Sequence, residues 1–114
     1  MSKFAGNHAE DLAIRFLKSS GYDILDRNWK NRWCEIDVVA TKNNCVSFIE
    51  VKYRNSHIWG RGVDYINQAK IAQMIKGAHL WCSNTNHDGQ ILLGCIELEG
   101  PNYKVSNFIE NIIL

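Results

Sequence analysis

Four charged residues fall inside stretches that otherwise read as buried β-strand: Glu35 and Asp37 in one, Glu50 and Lys52 in the next. An ionised group taken out of water needs a partner or a purpose. Strand side chains alternate, so Glu35 shares a face with Asp37, and Glu50 with Lys52. Lys42-Asn43-Asn44 between the two stretches reads as a hairpin turn, which makes them neighbours and puts Asp37 within reach of Glu50 if their faces agree. Two carboxylates meeting there repel unless a proton or a cation compensates. Oxygen donors select hard ions, so Mg²⁺ or Mn²⁺ is the expected cofactor, held by Asp37, Glu50 and the backbone carbonyl of Val51. With Lys52 beside it to position water or stabilise developing negative charge, such a centre has the parts needed for phosphodiester hydrolysis. An internal ion-pair network, with Lys52 neutralising Glu50 or Asp37 and nothing bound, would use the same residues.

The elements that must position these groups are legible in the periodicity. Ala9, Leu12, Ala13, Phe16 and Leu17 recur at helical spacing and predict a helix over residues 7–20, stopped by Gly21. Glu10 falls at the edge of its apolar stripe, while Asp11 points away with Arg15, so Glu10 is the helix acid able to approach the site. Residues 22–29 predict an edge strand. Residues 35–41 and 46–53 are apolar on both faces and predict central strands covered by helices. A glycine-bearing loop spans residues 54–62. Gln68, Ile71, Ala72, Ile75, Ala78, His79 and Cys82 share one face of a second helix, with Gln68 placed to support the site and Lys70 off that face. A strand over residues 90–98 follows, and residues 104–114 read as a mixed strand or short helix. The fold class is α/β, an α-β-β-β-α-β sandwich around a mixed sheet.

Size and composition narrow the function. With 114 residues, 46% hydrophobic and 22% charged, the chain fits one domain over residues 1–114. No apolar run approaches the roughly 20 residues of a membrane span, and the N-terminus lacks a secretory h-region, so no membrane partner and a cytoplasmic location are expected. Cys34, Cys45, Cys82 and Cys95 form no C-x-x-C pair and read as free thiols in the role of small buried hydrophobes. His8, His57, His79 and His87 share no ligand spacing. Nucleophile-elbow, phosphate-loop and dinucleotide fingerprints are absent from the sequence, which removes serine hydrolase, NTPase and dehydrogenase readings. Net charge is +1, but residues 27–76 hold nine Lys/Arg against four Asp/Glu. That basic middle suits a polyanion, with Arg54, Arg61 and Lys70 the expected phosphate contacts, while Trp59 is either a base-stacking ring or a cover for the core.

Asp37 followed by Glu50-Val51-Lys52 resembles the bipartite acid motif of the PD-(D/E)xK nuclease superfamily, and Glu10 resembles the helix-borne acid of Holliday junction resolvases. More specifically, Gly6 with Glu10, Gly21-Tyr22, Arg27-Asn28, Glu35-Ile36-Asp37, Phe48-Ile49-Glu50-Val51-Lys52-Tyr53-Arg54, Gly60, and Lys70 followed by Ala78 resemble the small bacterial YraN-like family. The resemblance covers residues 6–81 well and the tail more loosely. It implies a restriction endonuclease-like fold and a metal-dependent DNA endonuclease acting on branched or structured DNA. Glu10, Asp37, Glu50 and Lys52 would be catalytic, with Glu35, Gln68 and Lys70 supporting them. Nucleic acid, DNA before RNA, is the expected partner, and a homodimer is left open. A non-catalytic nucleic-acid-binding or adaptor protein retaining the fold is the rival. Three positions depart from the family: Ala9 and Cys34 stand where glycine is usual, and Gly94 about where an aspartate is usual.

Overall fold

In the computed structural model, which describes residues 3–54 and 66–112, the elements run α1 (Lys3–Ser19), β1 (Asp23–Lys30), β2 (Glu35–Lys42), β3 (Cys45–Arg54), α2 (Gln68–Thr85), β4 (Ile91–Glu99) and β5 (Lys104–Ile109). The loop expectations that rest on Trp59, Gly60 and Arg61 lie outside the described residues. α1 starts four residues before the predicted residue 7, because helix propagates through Lys3, Phe4 and Ala5 and a single Gly6 weakens it without breaking it. It stops where expected. Gly21 takes φ +94°, its N–H donates to the Lys18 carbonyl, and the Tyr22 N–H donates to Leu17, the paired bonds of a Schellman cap.

The five strands form one sheet in sequence order, antiparallel except for β3 and β4, which run parallel. A parallel pair cannot be joined by a tight turn, and α2 lies in the long connection between them. The tail resolves as a strand, β5, antiparallel to β4. α1 covers one face: Ala9, Ala13 and Leu17 pack on Val38, Ala40, Ile49, Val51, Ile96 and Leu98. Two alanines on its inner stripe let the helix sit close to the sheet. α2 covers the other face, where Met74, Ala78 and Trp81 pack on Ile36, Val39, Val46, Phe48 and Leu93. The Trp81 indole meets Phe48 edge-on at 5.7 Å, and its N–H is satisfied by Asp26 at 3.1 Å.

The inner face of α2 differs from the periodic expectation. Met74, Gly77, Ala78 and Trp81 are buried, whereas Gln68, Ala72 and His79 are exposed. Apolar residues surround much of this helix, so periodicity leaves its rotation open and the Phe48–Trp81 contact decides it. The rotation brings Lys70, four residues before Met74, onto the inward side.

Strand alternation also slips once. Val38 and Ala40 pack under α1, yet Ile36 joins Val39 under α2. The slip surrounds Asp37, and Asn28, between the partners of Ile36 and Val38 on β1, takes a left-handed φ of +52°. Gly94 has a steric reason to lack a side chain: a Cβ there would stand 3.0 Å from the Ile109 carbonyl oxygen and 3.4 Å from that of Glu110. A side chain at this position would press on the end of β5, which would have to give by a few tenths of an ångström.

Candidate functional site

β2 and β3 separate at Asp37. Their paired residues run from Lys42 and Cys45 to Val38 and Ile49. Beyond that point the Val51 backbone N–H donates to Asp37 Oδ2 at 2.8 Å, so a carboxylate stands where a strand carbonyl would otherwise accept. Glu50 precedes Val51 and is buried on the α2 side of the sheet, with Phe48 and Lys52 on the same face. Its carboxylate is held between two ammonium groups, Lys52 Nζ at 3.3 Å from Oε1 and Lys70 Nζ at 3.6 Å from Oε2. Asn67 accepts from the Lys70 backbone N–H at 2.9 Å, capping α2 and fixing the turn that carries that lysine.

Burial first, then the charge of Glu50, pushes the Asp37 carboxyl up to about 7, against the Val51 hydrogen bond that favours its ionised form. Glu10 and Glu35 add to the push from farther off. Glu10 approaches from α1 with its side chain 12% exposed, and Arg27 Nε lies 3.5 Å from its Oε1. Burial raises its carboxyl, while Asn28 and Arg27 oppose the rise. Arg27 also reaches Asp11 at 2.7 Å and the Asn7 carbonyl at 3.2 Å, which ties β1 to α1 and orients Glu10. Glu35 is exposed and contributes through its field alone. The structure therefore brings together Asp37, Glu50, Lys52 and Lys70, with Glu10 at the margin. Among the described residues no group of three or more His, Cys, Asp or Glu side chains is arranged to hold a metal ion.

The sequence profile of the uncharacterised protein family UPF0102 matches residues 9–98, a span that holds every one of these groups. The chain belongs to this family. A UPF0102 protein of Fusobacterium nucleatum is 34% identical over 109 residues, covering 95% of this chain and 89% of the relative. One from Flavobacterium psychrophilum is 33% identical over 105 residues, covering 90% and 88%. A third, from Myxococcus xanthus, is 40% identical over 73 residues, covering 64% and 58%. No helix among the described residues of this UPF0102 chain is long and apolar enough to cross a membrane.

Several residues around the UPF0102 site escaped the sequence reading. Cys95 lies opposite Glu50 in the parallel register and Glu97 opposite Lys52. Burial, with Glu50 and Glu97 adding, pushes the Cys95 thiol up to about 12, so it is an inert lining group. It is buried as expected for these cysteines, whereas Cys34, Cys45 and Cys82 are half-buried and all four are free thiols. Glu97 is 1% exposed. Charges on one face of an otherwise apolar strand, the signal that exposed Asp37, were present at Glu97 and Glu99 too.

Arg54, expected at a phosphate, has its side chain only 9% exposed, with Nε 4.0 Å from Glu97 Oε1. Gln68 is exposed at the start of α2. Removing the partner of a buried charge is more damaging than removing a surface contact. Arg54→Ala should therefore lower stability by roughly 3–5 kcal/mol in a denaturant titration. A variant as stable as the parent but weaker for DNA would return Arg54 to the phosphate-contact role.

Proposed function

We propose that this UPF0102 protein is a metal-dependent DNA endonuclease of the PD-(D/E)xK type, built on a restriction endonuclease-like arrangement of helices around a mixed sheet. One observation carries the reading: Asp37 converges on the Glu50-Val51-Lys52 run where β2 and β3 part, bonded at 2.8 Å to the Val51 N–H. The donor chemistry fits Mg²⁺ or Mn²⁺. Burial, and then the charge of Glu50, holds the Asp37 carboxyl up to about 7, and a divalent ion would favour its ionised form. Asp37, Glu50 and the Val51 carbonyl are the groups that would hold the ion. When bound, it would supply Lewis acidity and a hydroxide at neutral pH.

The chain's own groups have separable roles in this reading. Lys52, 36% exposed and anchored on Glu50, holds the attacking water or meets charge developing on the phosphate. Lys70 brings a second cation from α2 to the same carboxylate and serves as a phosphate contact. Glu10, oriented by Arg27, adds a third acid on the α1 side. A second reading has its own observation. Glu50 between two lysines is already a self-contained ion-pair network, which suits a non-catalytic nucleic-acid-binding or adaptor protein. The deciding experiment incubates the parent and Asp37→Ala proteins with linear, flapped and four-way DNA in Mg²⁺ or Mn²⁺. Metal-dependent cleavage by the parent, lost in the variant, is expected. Binding without cleavage on every substrate would favour the adaptor.

A further inference from the structure

Trp33 is out of place for a packing residue. It is half-exposed in the β1–β2 connection and joins neither hydrophobic cluster of the described residues, unlike Trp29 four positions earlier, which packs beside Met74 and Phe48. Folding therefore gains less from this indole than from the buried Trp81 of the α2-side cluster. Its position is nevertheless tightly set. Asn31 Oδ1 accepts from the backbone N–H groups of Trp33 at 2.9 Å and Cys34 at 3.1 Å, and the Asn31 N–H donates to the Cys34 carbonyl at 3.1 Å. The Asn31 amide is seated on Gly77 of α2, where a Cβ would come 3.0 Å from its Nδ2. Cys34 Sγ donates to the Gln73 carbonyl at 3.6 Å, a second tie to α2. The guanidinium of exposed Arg32 lies over the indole, 5.3 Å from the ring centroid.

This connection borders the acidic site. Cys34, next to Trp33, feels the charges of Lys70, Glu50 and Asp37, and Glu35 and Asp37 follow immediately in β2. A ring on a rigid turn, with a solvent-facing cation against it, combines the two parts of a single-strand contact: a π-face for a base and a charge for its phosphate. Bases inside a duplex are already stacked, so only an unpaired one is free to use it.

We propose that Arg32 and Trp33 form a stacking site for an unpaired nucleobase beside the scissile phosphate, so that the substrate is DNA with an unpaired nucleotide next to the cleavage point. The proposal rests on the nuclease reading above and adds its substrate class. It is tested in EDTA, where cleavage is blocked, with two oligonucleotide duplexes of equal length. One is fully paired, and the other carries a short flap with 2-aminopurine at its base. The parent should bind the flapped duplex about 5- to 150-fold more tightly and quench the 2-aminopurine, the range expected for stacking of one base. Trp33→Ala should lose both the preference and the quench while keeping its affinity for the paired duplex within about two-fold, and Trp33→Phe should retain most of both. The proposal is overturned if Trp33→Ala leaves the preference intact, or lowers both affinities alike together with the melting temperature. A parent that cleaves with metal but shows no flap preference overturns the stacking site alone. One that neither binds nor cleaves DNA overturns the nuclease reading as well.

Discussion

Replacing Lys52 with alanine should lower Mg²⁺-dependent DNA cleavage by about 10²–10³-fold, the usual loss when one group stabilising transition-state charge is removed. Stability should change by less than about 1 kcal/mol. The ammonium is 36% exposed, and Glu50 keeps Lys70 at 3.6 Å after Lys52 is gone, so the lost pair counts as a partly exposed one. DNA affinity should stay within a few-fold, because one phosphate-type contact is a small part of the total. The ion-pair network reading predicts a different pattern. There the lysines act only on Glu50 and no cleavage is lost with them; removing both strands a buried carboxylate in either reading, a loss of roughly 3–5 kcal/mol, so cleavage decides. Thermal melts and cleavage rates on Lys52→Ala, Lys70→Ala and the double variant separate the two. A parent without metal-dependent cleavage, whose double variant is strongly destabilised, would establish the network and remove the catalytic role.

The central acids were legible because charge within an apolar strand is visible without knowing any contact. Glu50 and Lys52 were placed from alternation and one hairpin turn, which are local features, whereas Asp37 was visible as a charge but not in its final orientation. The strand boundaries were legible for the same reason. What stayed hidden depends on distant partners. Arg54 reads as a free cation until Glu97, forty-three residues later, is set 4.0 Å from it across a parallel register. The rotation of α2, and with it the approach of Lys70 to Glu50, depends on how Trp81 meets Phe48. The slip of β2 at Asp37 gives the carboxylate its Val51 hydrogen bond, and it accompanies the left-handed turn of Asn28 on the neighbouring strand. Trp33 carried no periodic signal at all. Its exposure becomes meaningful only once the clusters it does not join are known.

Asp37→Asn should stabilise the metal-free protein at pH 8 while abolishing its metal-dependent cleavage. In the folded chain the Asp37 carboxyl is raised from an ordinary 3.8 to about 7, chiefly by burial and then by Glu50. Between those two values the folded state binds more protons than the unfolded state, so stability falls as pH rises. The contribution of the bound proton is complete below 3.8 and lost as pH passes 7. Asparagine cannot ionise, yet its amide oxygen can still accept from the Val51 N–H. The variant therefore escapes the loss, and at pH 8 should be more stable by roughly 2–4 kcal/mol, with little difference near pH 4. Mg²⁺ reverses the comparison, since it favours the ionised carboxylate and stabilises the parent above pH 7 but not the variant. Denaturant titrations at pH 4 and pH 8, with and without Mg²⁺, read all four corners. An asparagine variant less stable than the parent at pH 8 without metal would mean that the lysines already hold Asp37 ionised, which leaves a divalent ion no unbalanced charge to relieve.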